Sequence, residues 1–346
     1  MADGGGASGG LMEPRRILIV APHPDDEIVA CGIAAMRARV AGARVFVLYL
    51  TTGTPAREAL WPWQRPGYAK RLRRRHDEAW AAAALIGFEP IGFIDCPSRR
   101  LRHHLDPAMA EIERAVTACD AEAIWVPAFE GGHQDHDAAN ALSARFCARL
   151  PVYEFAAYNF AGGQVRASRF PDQRGGEGVI DATAEELALK RRALACYASE
   201  RSNLGHIGAT REVYRPLPVH DYGAPPHPGR LFRERFHWVP FRHPRVDFDP
   251  SATVYPDIGR WASAAIARRP PALGDGPGQE PGKADREFAG ALDETEGERG
   301  LGRQSGDGGE REERSLLGAP AARDQEGGAA HGEAQAFQQD RLGNPG

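Results

Sequence analysis

The sequence lacks an apolar run approaching the roughly 20 residues that a helix needs to cross a bilayer. Its Gly-rich start has no basic stretch followed by an apolar one, so we expect neither a membrane span nor a secretory signal. The five cysteines are widely spaced and form no CxxC pair. This spacing favours buried free thiols over disulfides or a thiolate metal site, and the expected location is cytoplasmic.

Signatures of two common site types are also missing. The first predicted strand-to-helix turn has no GxGxxG, which argues against a dinucleotide site, and no GxSxG elbow joins a predicted strand to a helix. Positive charge is not in excess, because 43 Lys and Arg stand against 47 Asp and Glu, a formal net charge of −4. Binding to a phosphate backbone needs an excess of basic residues, so no nucleic-acid partner is expected. The sequence does not predict an oligomeric state.

Composition divides the chain into three regions. Residues 1–14 are expected to be a flexible leader, and residues 15–268 carry nearly all the periodic apolar pattern of one domain. Beyond Pro271 the chain has no Val, Ile, Trp, Tyr, Met or Cys. Such a segment cannot bury enough apolar surface to offset the entropy of ordering its backbone, so residues 269–346 are predicted to be disordered.

Short apolar runs alternate with helical patterns in the middle region. Continuous apolarity indicates burial on both faces of a parallel sheet, and strand–helix alternation indicates right-handed βαβ units. We therefore predict an α/β, three-layer Rossmann-like fold with a mostly parallel central sheet. The predicted strands are residues 17–21, 45–50, 91–94 and 123–127. The predicted helices follow Glu27 and His136, cover about 68–85 and 107–117, and run from a Thr183–Glu186 capping box to Tyr197.

Two clusters of titratable residues each follow a predicted strand. The first is APHPDDE at residues 21–27, and the second is GGHQDH at residues 131–136. In open α/β sheets ligands bind beyond the carboxyl ends of the strands, so the clusters can converge if their strands are neighbours. A catalytic zinc takes three protein ligands from His and Asp or Glu and keeps one position for water. The two clusters therefore predict a Zn²⁺ site.

Each cluster alone has a simpler interpretation as a helix start. Carboxylates near a helix N-terminus are stabilised by the helix dipole, and His or Asp side chains often cap helices. Both clusters together, each after a buried strand, favour a metal site over two unrelated caps.

These motifs resemble those of the LmbE/PIG-L family of zinc-dependent de-N-acetylases. The resemblance covers roughly residues 15–250, and two departures from the family pattern stand out. Gln134 replaces the proline of the usual HPDH, and Glu200 follows Ser199 where the family commonly has a Ser-Gln pair. The resembling segments are APHPDDE (21–27), the strand with TTG (45–53), Arg75 with Glu78, GGHQDH (131–136) and KRRALACYASE (190–200).

The resemblance implies a division of roles among the clustered residues. His23, Asp26 and His136 would bind zinc, and Asp25 would be the general base that deprotonates the attacking water. His133 would stabilise the oxyanion or protonate the leaving amine. The implied activity is removal of an N-acetyl group from an N-acetylglucosamine-type sugar or glycoconjugate.

Further residues are weaker candidates. Asp135 is expected to orient an imidazole. Arg75 would contact a substrate hydroxyl or phosphate, or else belong to a solvated helix face. Tyr158 and Asn159 follow a possible fifth strand and could reach the site. Two tryptophans in the loop 54–67, Trp61 and Trp63, would stack on a sugar ring or form a packed cover.

Two other functions remain open at the level of sequence. One is an amidase that acts on a thiol conjugate through the same chemistry. The other is a non-catalytic module that binds a metal or a carbohydrate. Asp25 and His133 argue against a simple binding module, because such a module needs neither a general base nor an oxyanion donor.

Overall fold

A mostly parallel sheet forms the centre of the molecule. The computed structural model describes residues 9–204 and 207–267, and within these ranges the sheet has seven strands in the order β3-β2-β1-β4-β5-β9-β8. Strands β1 to β5 are parallel, whereas β8 and β9 are antiparallel additions beside β5, and β6 and β7 form a separate pair. The strands are β1 Arg16–Ala21, β2 Arg44–Tyr49, β3 Glu89–Phe93, β4 Ala123–Pro127, β5 Val152–Phe155, β6 Tyr158–Asn159, β7 Arg166–Ala167, β8 Gly178–Asp181 and β9 Arg211–Pro216.

Helices cover both faces of this sheet. The helices are α1 Gly9–Met12, α2 Asp26–Val40, α3 Tyr68–Ile86, α4 Leu105–Ala118, α5 Gln134–Ser143, α6 Ala184–Cys196 and α7 Ser251–Ala267. Helices α2, α3 and α6 pack on the face that carries Ile17 and Ile19, and α4, α5 and α7 pack on the face that carries Leu18 and Val20. Successive residues of a strand point to opposite faces, so a strand covered on both sides is apolar throughout. The expected three-layer α/β fold is confirmed.

Short 3-10 turns connect several of these elements. They are Arg57–Ala59, Pro62–Gly67, Leu101–His103, Ala144–Phe146, Ala161–Gly163, Ala198–Glu200 and Phe232–Glu234. The Thr183 capping box at the start of α6 is present as predicted.

The structure differs from the sequence expectations at the edges of the domain. Strands β8 and β9 were not predicted, and β9 lies inside the sheet between β5 and β8. Leu11 is fully buried in α1, so the packed part of the chain begins before residue 15. Residues 1–8 and 268–346, which contain the rest of the expected leader and the whole expected tail, lie outside the described residues.

The five cysteines are all free thiols, as expected. Cys31, Cys96 and Cys119 are buried, but Cys147 is exposed and Cys196 is half-buried, so the expectation of burial is wrong for these last two. Within the described residues no helix has both the length and the apolarity to span a bilayer.

A buried ion pair holds helix α2 where it is kinked at Cys31. The backbone amides of Ile33 and Ala34 donate to the Glu212 carboxylate at 2.7 and 2.9 Å. Lys190 Nζ lies 2.6 Å from Glu212 Oε1, and both side chains are buried. Removing one partner of a buried ion pair leaves an uncompensated charge, so the pair is costly to break. Because Glu212 lies in β9 and Lys190 in α6, their bonds hold α2 and the turn before it against these two elements.

Adjacent strands bring the two sequence clusters together. β1 pairs with β4 in parallel, with Ile17 opposite Ala123 and Ile19 opposite Trp125. Since parallel neighbours end at the same edge of a sheet, the turns after β1 and β4 lie side by side there.

Candidate metal centre

Three side chains from the two turns converge at the strand ends. His23 Nδ1 lies 2.9 Å from Asp26 Oδ2, and His136 Nε2 lies 3.1 Å from Asp26 Oδ1. The potential ligand atoms of these three residues all lie within 4.8 Å of one another, and all three residues are buried. Two imidazoles and a carboxylate around one point form a donor set that suits a divalent zinc ion.

The environment of His136 indicates that this group is built for a cation. Among the described residues neither ring nitrogen of the fully buried His136 has a partner with hydrogen-bond geometry, and Nε2 has only the contact with Asp26 Oδ1 at ion-pair distance. Buried polar atoms are nearly always paired, and leaving one unpaired costs about 1–3 kcal/mol. A metal ion would satisfy the nitrogen that faces Asp26, so the residues fit the zinc that the sequence predicts.

Charges in the group are mutually stabilising. Burial alone would raise the pKa of Asp26, but His136 and His23 outweigh it and hold this pKa far below its ordinary range. Burial alone would lower the pKa of His23, yet Asp26 and Asp135 raise it to about 10. Without a metal the two carboxylates therefore hold a proton on His23, a position that a cation can take over.

Asp135 orients His23 from the opposite side of the ring. Its Oδ2 lies 3.0 Å from His23 Nε2, which leaves Nδ1 directed at Asp26. Burial alone would raise the pKa of Asp135, but the bond to His23 and the nearby charges lower it below its ordinary range. Asp135 is therefore placed as an ionised acceptor for the His23 ring, and the orienting role expected from the sequence stays a prediction.

The segment that holds Asp135 was not among the predicted site residues. The backbone amide of Arg99 donates to Asp135 Oδ2 at 2.6 Å, and the amide of Leu101 donates to Oδ1 at 3.2 Å. The Ser98 hydroxyl lies 3.2 Å from His23 Nε2 and 3.4 Å from Asp135 Oδ2. These residues follow β3, and their position just beyond a predicted strand is the signal in the sequence that indicates them.

Asp25 stands apart from the candidate ligands in a strained turn. Its φ of 131° is a conformation that L-residues rarely adopt, and its side chain makes no capping bond to α2. The first cluster is therefore more than a helix start. Burial raises the pKa of Asp25 well above its ordinary value, and the positive charge of Arg75 opposes that rise. A carboxylate with a raised pKa is suited to accept a proton.

Arg75 is buried beneath this turn rather than on a solvated helix face. Its guanidinium donates to Pro24 O and lies 3.4 Å from Asp25 Oδ2. It also lies 3.5 Å from Glu200 Oε1 and 3.4 Å from the Ser199 hydroxyl. Arg75 therefore supports Asp25, and the Glu200 that departs from the family pattern faces the same guanidinium.

Glu27 braces the same turn from inside the fold and was not among the predicted site residues. Its Oε2 accepts the Asp25 amide at 3.0 Å, and its Oε1 accepts the Tyr197 hydroxyl. Burial raises the pKa of Glu27 to about 7, although both of these bonds oppose the rise.

His133 lies at the mouth of the site with one nitrogen already used. Its Nδ1 accepts the Asp135 amide at 3.1 Å, so the neutral ring carries its proton on Nε2. Burial lowers the pKa of His133 well below its ordinary value, and the charge of nearby His23 lowers it further. His133, His23 and Asp135 form a second group with metal-ligand spacing. In this second group Asp135 already accepts bonds from backbone amides, and His133 Nδ1 caps helix α5. His133 and Asp135 are therefore assigned to supporting the group formed by His23, Asp26 and His136.

The two residues expected after β5 have different positions. The Tyr158 ring lies 5.5 Å from the His136 ring, beside the candidate metal centre. Asn159 is fully buried, and its amide donates to Glu130 Oε2 and to Arg169 O. Glu130 also accepts the amide of Tyr158, so Asn159 holds this segment in place and does not face a substrate.

The fold and the donor set together define a class: an α/β protein with a candidate His/Asp metal site at the carboxyl ends of adjacent parallel strands. A family model described as GlcNAc-PI de-N-acetylase, PIG-L, matches residues 18–147, which include both turns. This part of the chain is therefore similar to the PIG-L family.

Among curated proteins, 2'-N-acetylparomamine deacetylase of Streptomyces fradiae is 28% identical over 137 residues. That match covers 35% of this chain and 48% of the relative, so it spans about half the length of the relative.

Solved structures of deacetylases are also similar. A deacetylase in the biosynthesis pathway of teicoplanin is 19% identical, with 60% of this chain and 99% of that chain covered and a TM-score of 0.48. The N,N'-diacetylchitobiose deacetylase from Pyrococcus horikoshii is 14% identical, with 61% and 88% covered and a TM-score of 0.42. The fold is established by the sheet of this chain itself.

Proposed function

We propose that this protein is a hydrolase that removes an N-acetyl group from an N-acetylglucosamine-type amino sugar. His23, Asp26 and His136 would hold a zinc ion. The observation that carries the proposal is the pairing of this donor set with Asp25, a buried carboxylate that neither caps its helix nor joins the ligand group. The similarity to the PIG-L family and the deacetylase relative support the same reaction class.

The side chains divide the chemistry of amide hydrolysis between them. Zinc, when bound, supplies Lewis acidity that acidifies water and polarises the acetamide carbonyl. Asp25 accepts a proton from the attacking water and returns it to the leaving nitrogen. The raised pKa of Asp25 suits both transfers, because a more basic carboxylate takes a proton more readily and its acid form persists closer to neutral pH.

His133 and Asp135 act around that transfer. The neutral His133 ring points its Nε2–H away from the helix cap and donates a hydrogen bond to the oxyanion that develops on the acetamide oxygen. Asp135 keeps the His23 ring in one orientation. Tyr158, whose pKa burial raises well above its ordinary value, remains a neutral phenol that can donate to the substrate.

The test is acetate release by the zinc-loaded protein from N-acetylglucosamine, its β-linked dimer and an N-acetylated aminoglycoside. We expect release from at least one of these sugars, loss of release after chelation and recovery on adding zinc back. A protein with one zinc per chain, shown by elemental analysis, that releases no acetate from any of them would refute the proposal. Release only from an acetylated thiol conjugate would assign the same chemistry to a different substrate class.

A further inference from the structure

A group of four rings, two exposed and two half-buried, lies outside the chemistry described so far. Trp61 and Trp63 stack with ring centroids 5.3 Å apart and an interplanar angle of 8°. The Trp61 ring also lies 6.3 Å from that of Phe241 and 5.9 Å from that of His243. Trp63 is 72% exposed and Phe241 is 54% exposed. We call Trp61, Trp63, Phe241 and His243 the aromatic rim, and clustered exposed rings of this kind mark binding surfaces.

The first segment of the rim is attached to the metal centre through Ser98. The Ser98 amide donates to Thr54 O at 2.9 Å, and Pro55 forms a β-bridge with Ser98 at the start of the loop that carries both tryptophans. The Ser98 hydroxyl lies 3.2 Å from His23 Nε2. One residue therefore touches both a candidate ligand and the base of the tryptophan loop.

The second segment is attached through Arg99. The guanidinium of Arg99 donates to Pro244 O at 2.7 Å and to Val246 O at 3.0 Å, directly after His243. The backbone amide of the same arginine donates to Asp135. Ser98 and its neighbour Arg99 thus contact both segments of the rim. Arg99 also binds the Asp135 carboxylate that orients His23.

Gln134 provides a third attachment between the site and the second segment. Its Nε2 donates to Asp247 Oδ2 at 2.8 Å and to Asp249 Oδ2 at 3.2 Å, and its Oε1 accepts from Arg102. A proline at this position, as in the resembling family, has no side-chain amide and could not form these bonds. The segment that carries Phe241 and His243 is therefore fixed to helix α5 in this chain.

The two segments that carry the rim also contain several arginines. Four arginines of the two segments have no carboxylate within ion-pair distance among residues 9–204 and 207–267: Arg57, Arg65, Arg242 and Arg245. Arg57 and Arg65 donate instead to backbone carbonyls of their own loop. Uncompensated guanidinium groups repel ammonium groups and can donate hydrogen bonds to hydroxyls or anions.

We propose that the aromatic rim binds the ring next to the acetamido sugar, in a glycoside without net positive charge. The proposal rests on the proposed function, because it takes the acetamido group to lie at the metal centre. Flat aromatic faces bury the apolar face of a ring with little loss of side-chain freedom, and the attachments at Ser98, Arg99 and Gln134 hold these faces in advance of binding. The arginines disfavour a polyamine sugar.

The binding test uses the Asp25→Asn background, in which sugar should be consumed at least about 100-fold more slowly. Tryptophan fluorescence is titrated with N-acetylglucosamine and with its β-linked dimer. We expect the dimer to bind more tightly, and Trp63→Ala to weaken dimer binding by about 10-fold while leaving monomer binding unchanged. Trp80→Ala is the matched control, since Trp80 is also exposed (46%) but lies on α3 against Phe93. Equal affinity of Trp63→Ala and its parent for the dimer would overturn the proposal, as would an equal loss for both sugars.

A charge-reversed variant tests the part of the proposal that concerns the charge of the glycoside. In Arg242→Glu/Arg245→Glu we expect roughly 10-fold tighter binding of an N-acetylated aminoglycoside that retains free amines, with the neutral dimer unaffected. No gain for the aminoglycoside would refute the charge selection.

Other occupants give distinct results. Trp63→Ala could instead abolish self-association of the protein in sedimentation, or its binding to vesicles of anionic phospholipid. If either occurs while binding of the β-linked sugar dimer stays intact, the rim serves that other partner and the proposal is wrong. Failure of the proposed function is separable, because it appears as absent acetate release while Trp63-dependent binding of the dimer persists.

Discussion

The turn after β1 and the turn after β4 both follow a buried strand and open a helix, but they are built differently. In the first, Asp25 adopts a strained backbone conformation and withholds its side chain from the helix end. In the second, His133 caps α5 in the usual way through the Asp135 amide. The first turn keeps a carboxylate free for proton transfer, whereas the second fixes the orientation of its side chains with ordinary helix geometry.

The supports of the two turns differ as well. Charged and polar side chains from α2, α3 and the end of α6 brace the first turn, with Arg75 and Glu27 in direct contact with it. Backbone amides of Arg99 and Leu101 brace the second turn through Asp135. The charged side chains near Asp25 set the pKa of that carboxyl group, whereas the backbone amides near Asp135 fix the position of its carboxylate. Substitutions of the side chains that support Asp25 should therefore alter proton transfer, and substitutions that disturb Asp135 should alter metal binding.

The largest expected effect is that of His136→Ala, which removes a candidate ligand at the second turn. Loss of one of three ligands should lower zinc occupancy and reduce turnover by about 1000-fold or more. Elemental analysis and acetate release measure the two effects, with His103→Ala as an exposed-histidine control. Unchanged metal content would remove His136 from the ligand set.

Asp25→Asn should separate the two turns most clearly. We expect zinc to remain bound, because Asp25 lies outside the ligand group, while turnover falls by about 100-fold or more through loss of the general base. Asp95→Asn, at an exposed carboxylate after β3, is the control. Full activity of Asp25→Asn would exclude Asp25 from the mechanism, and loss of zinc would place it among the ligands.

Asp135→Asn should act through the metal and not through the base. Removing the charge that orients His23 should weaken zinc affinity by about 10–100-fold. The zinc dissociation constant, measured by competition with a chelator, checks this. If that constant is unchanged while turnover falls, Asp135 supports the reaction in some way other than holding His23.

The smallest expected effect is a shift in the pH profile of Arg75→Met. The charge of Arg75 lowers the pKa of Asp25, so its removal should raise that pKa. A base must be deprotonated to act, so the acidic limb of kcat/KM should move to higher pH, by about one unit and hence about tenfold in rate on that limb. Arg73→Met, an exposed neighbour on α3, should leave the limb in place. A limb that does not move in Arg75→Met would show that Arg75 does not tune the base.

The pattern of apolar residues along the sequence was enough to predict much of the fold, and also that the turns after β1 and β4 lie close together. Continuous apolar runs mark β1 to β4 because both faces of those strands are covered, and the pairing of β1 with β4 then brings His23 and His136 together. The antiparallel strands could not be predicted in the same way. Residues alternate between buried and exposed along β8, and the pairing of β9 with β5 joins segments about 60 residues apart, which no local pattern reports.

The environment of individual side chains was harder to predict. Arg75 lies among other arginines in the sequence, yet it shares a buried helix face with Glu78, Ala79 and Ala82 at a spacing of three to four residues. That spacing would have favoured the buried position. The bonds to Asp135 come from amides 34 and 36 residues earlier, and backbone donors leave no trace in residue identity.

Gln134 has a consequence for how this protein could be altered. By tying α5 to residues 247 and 249, its side chain links the start of the helix that carries His136 to the outer loop. Exchanging that loop for one from a relative with proline at this position would leave the Gln134 amide without its acceptors, Asp247 and Asp249. A change in substrate preference would then be accompanied by a less rigid candidate metal centre. Transferring Gln134 together with its acceptors, Asp247 and Asp249, would avoid this.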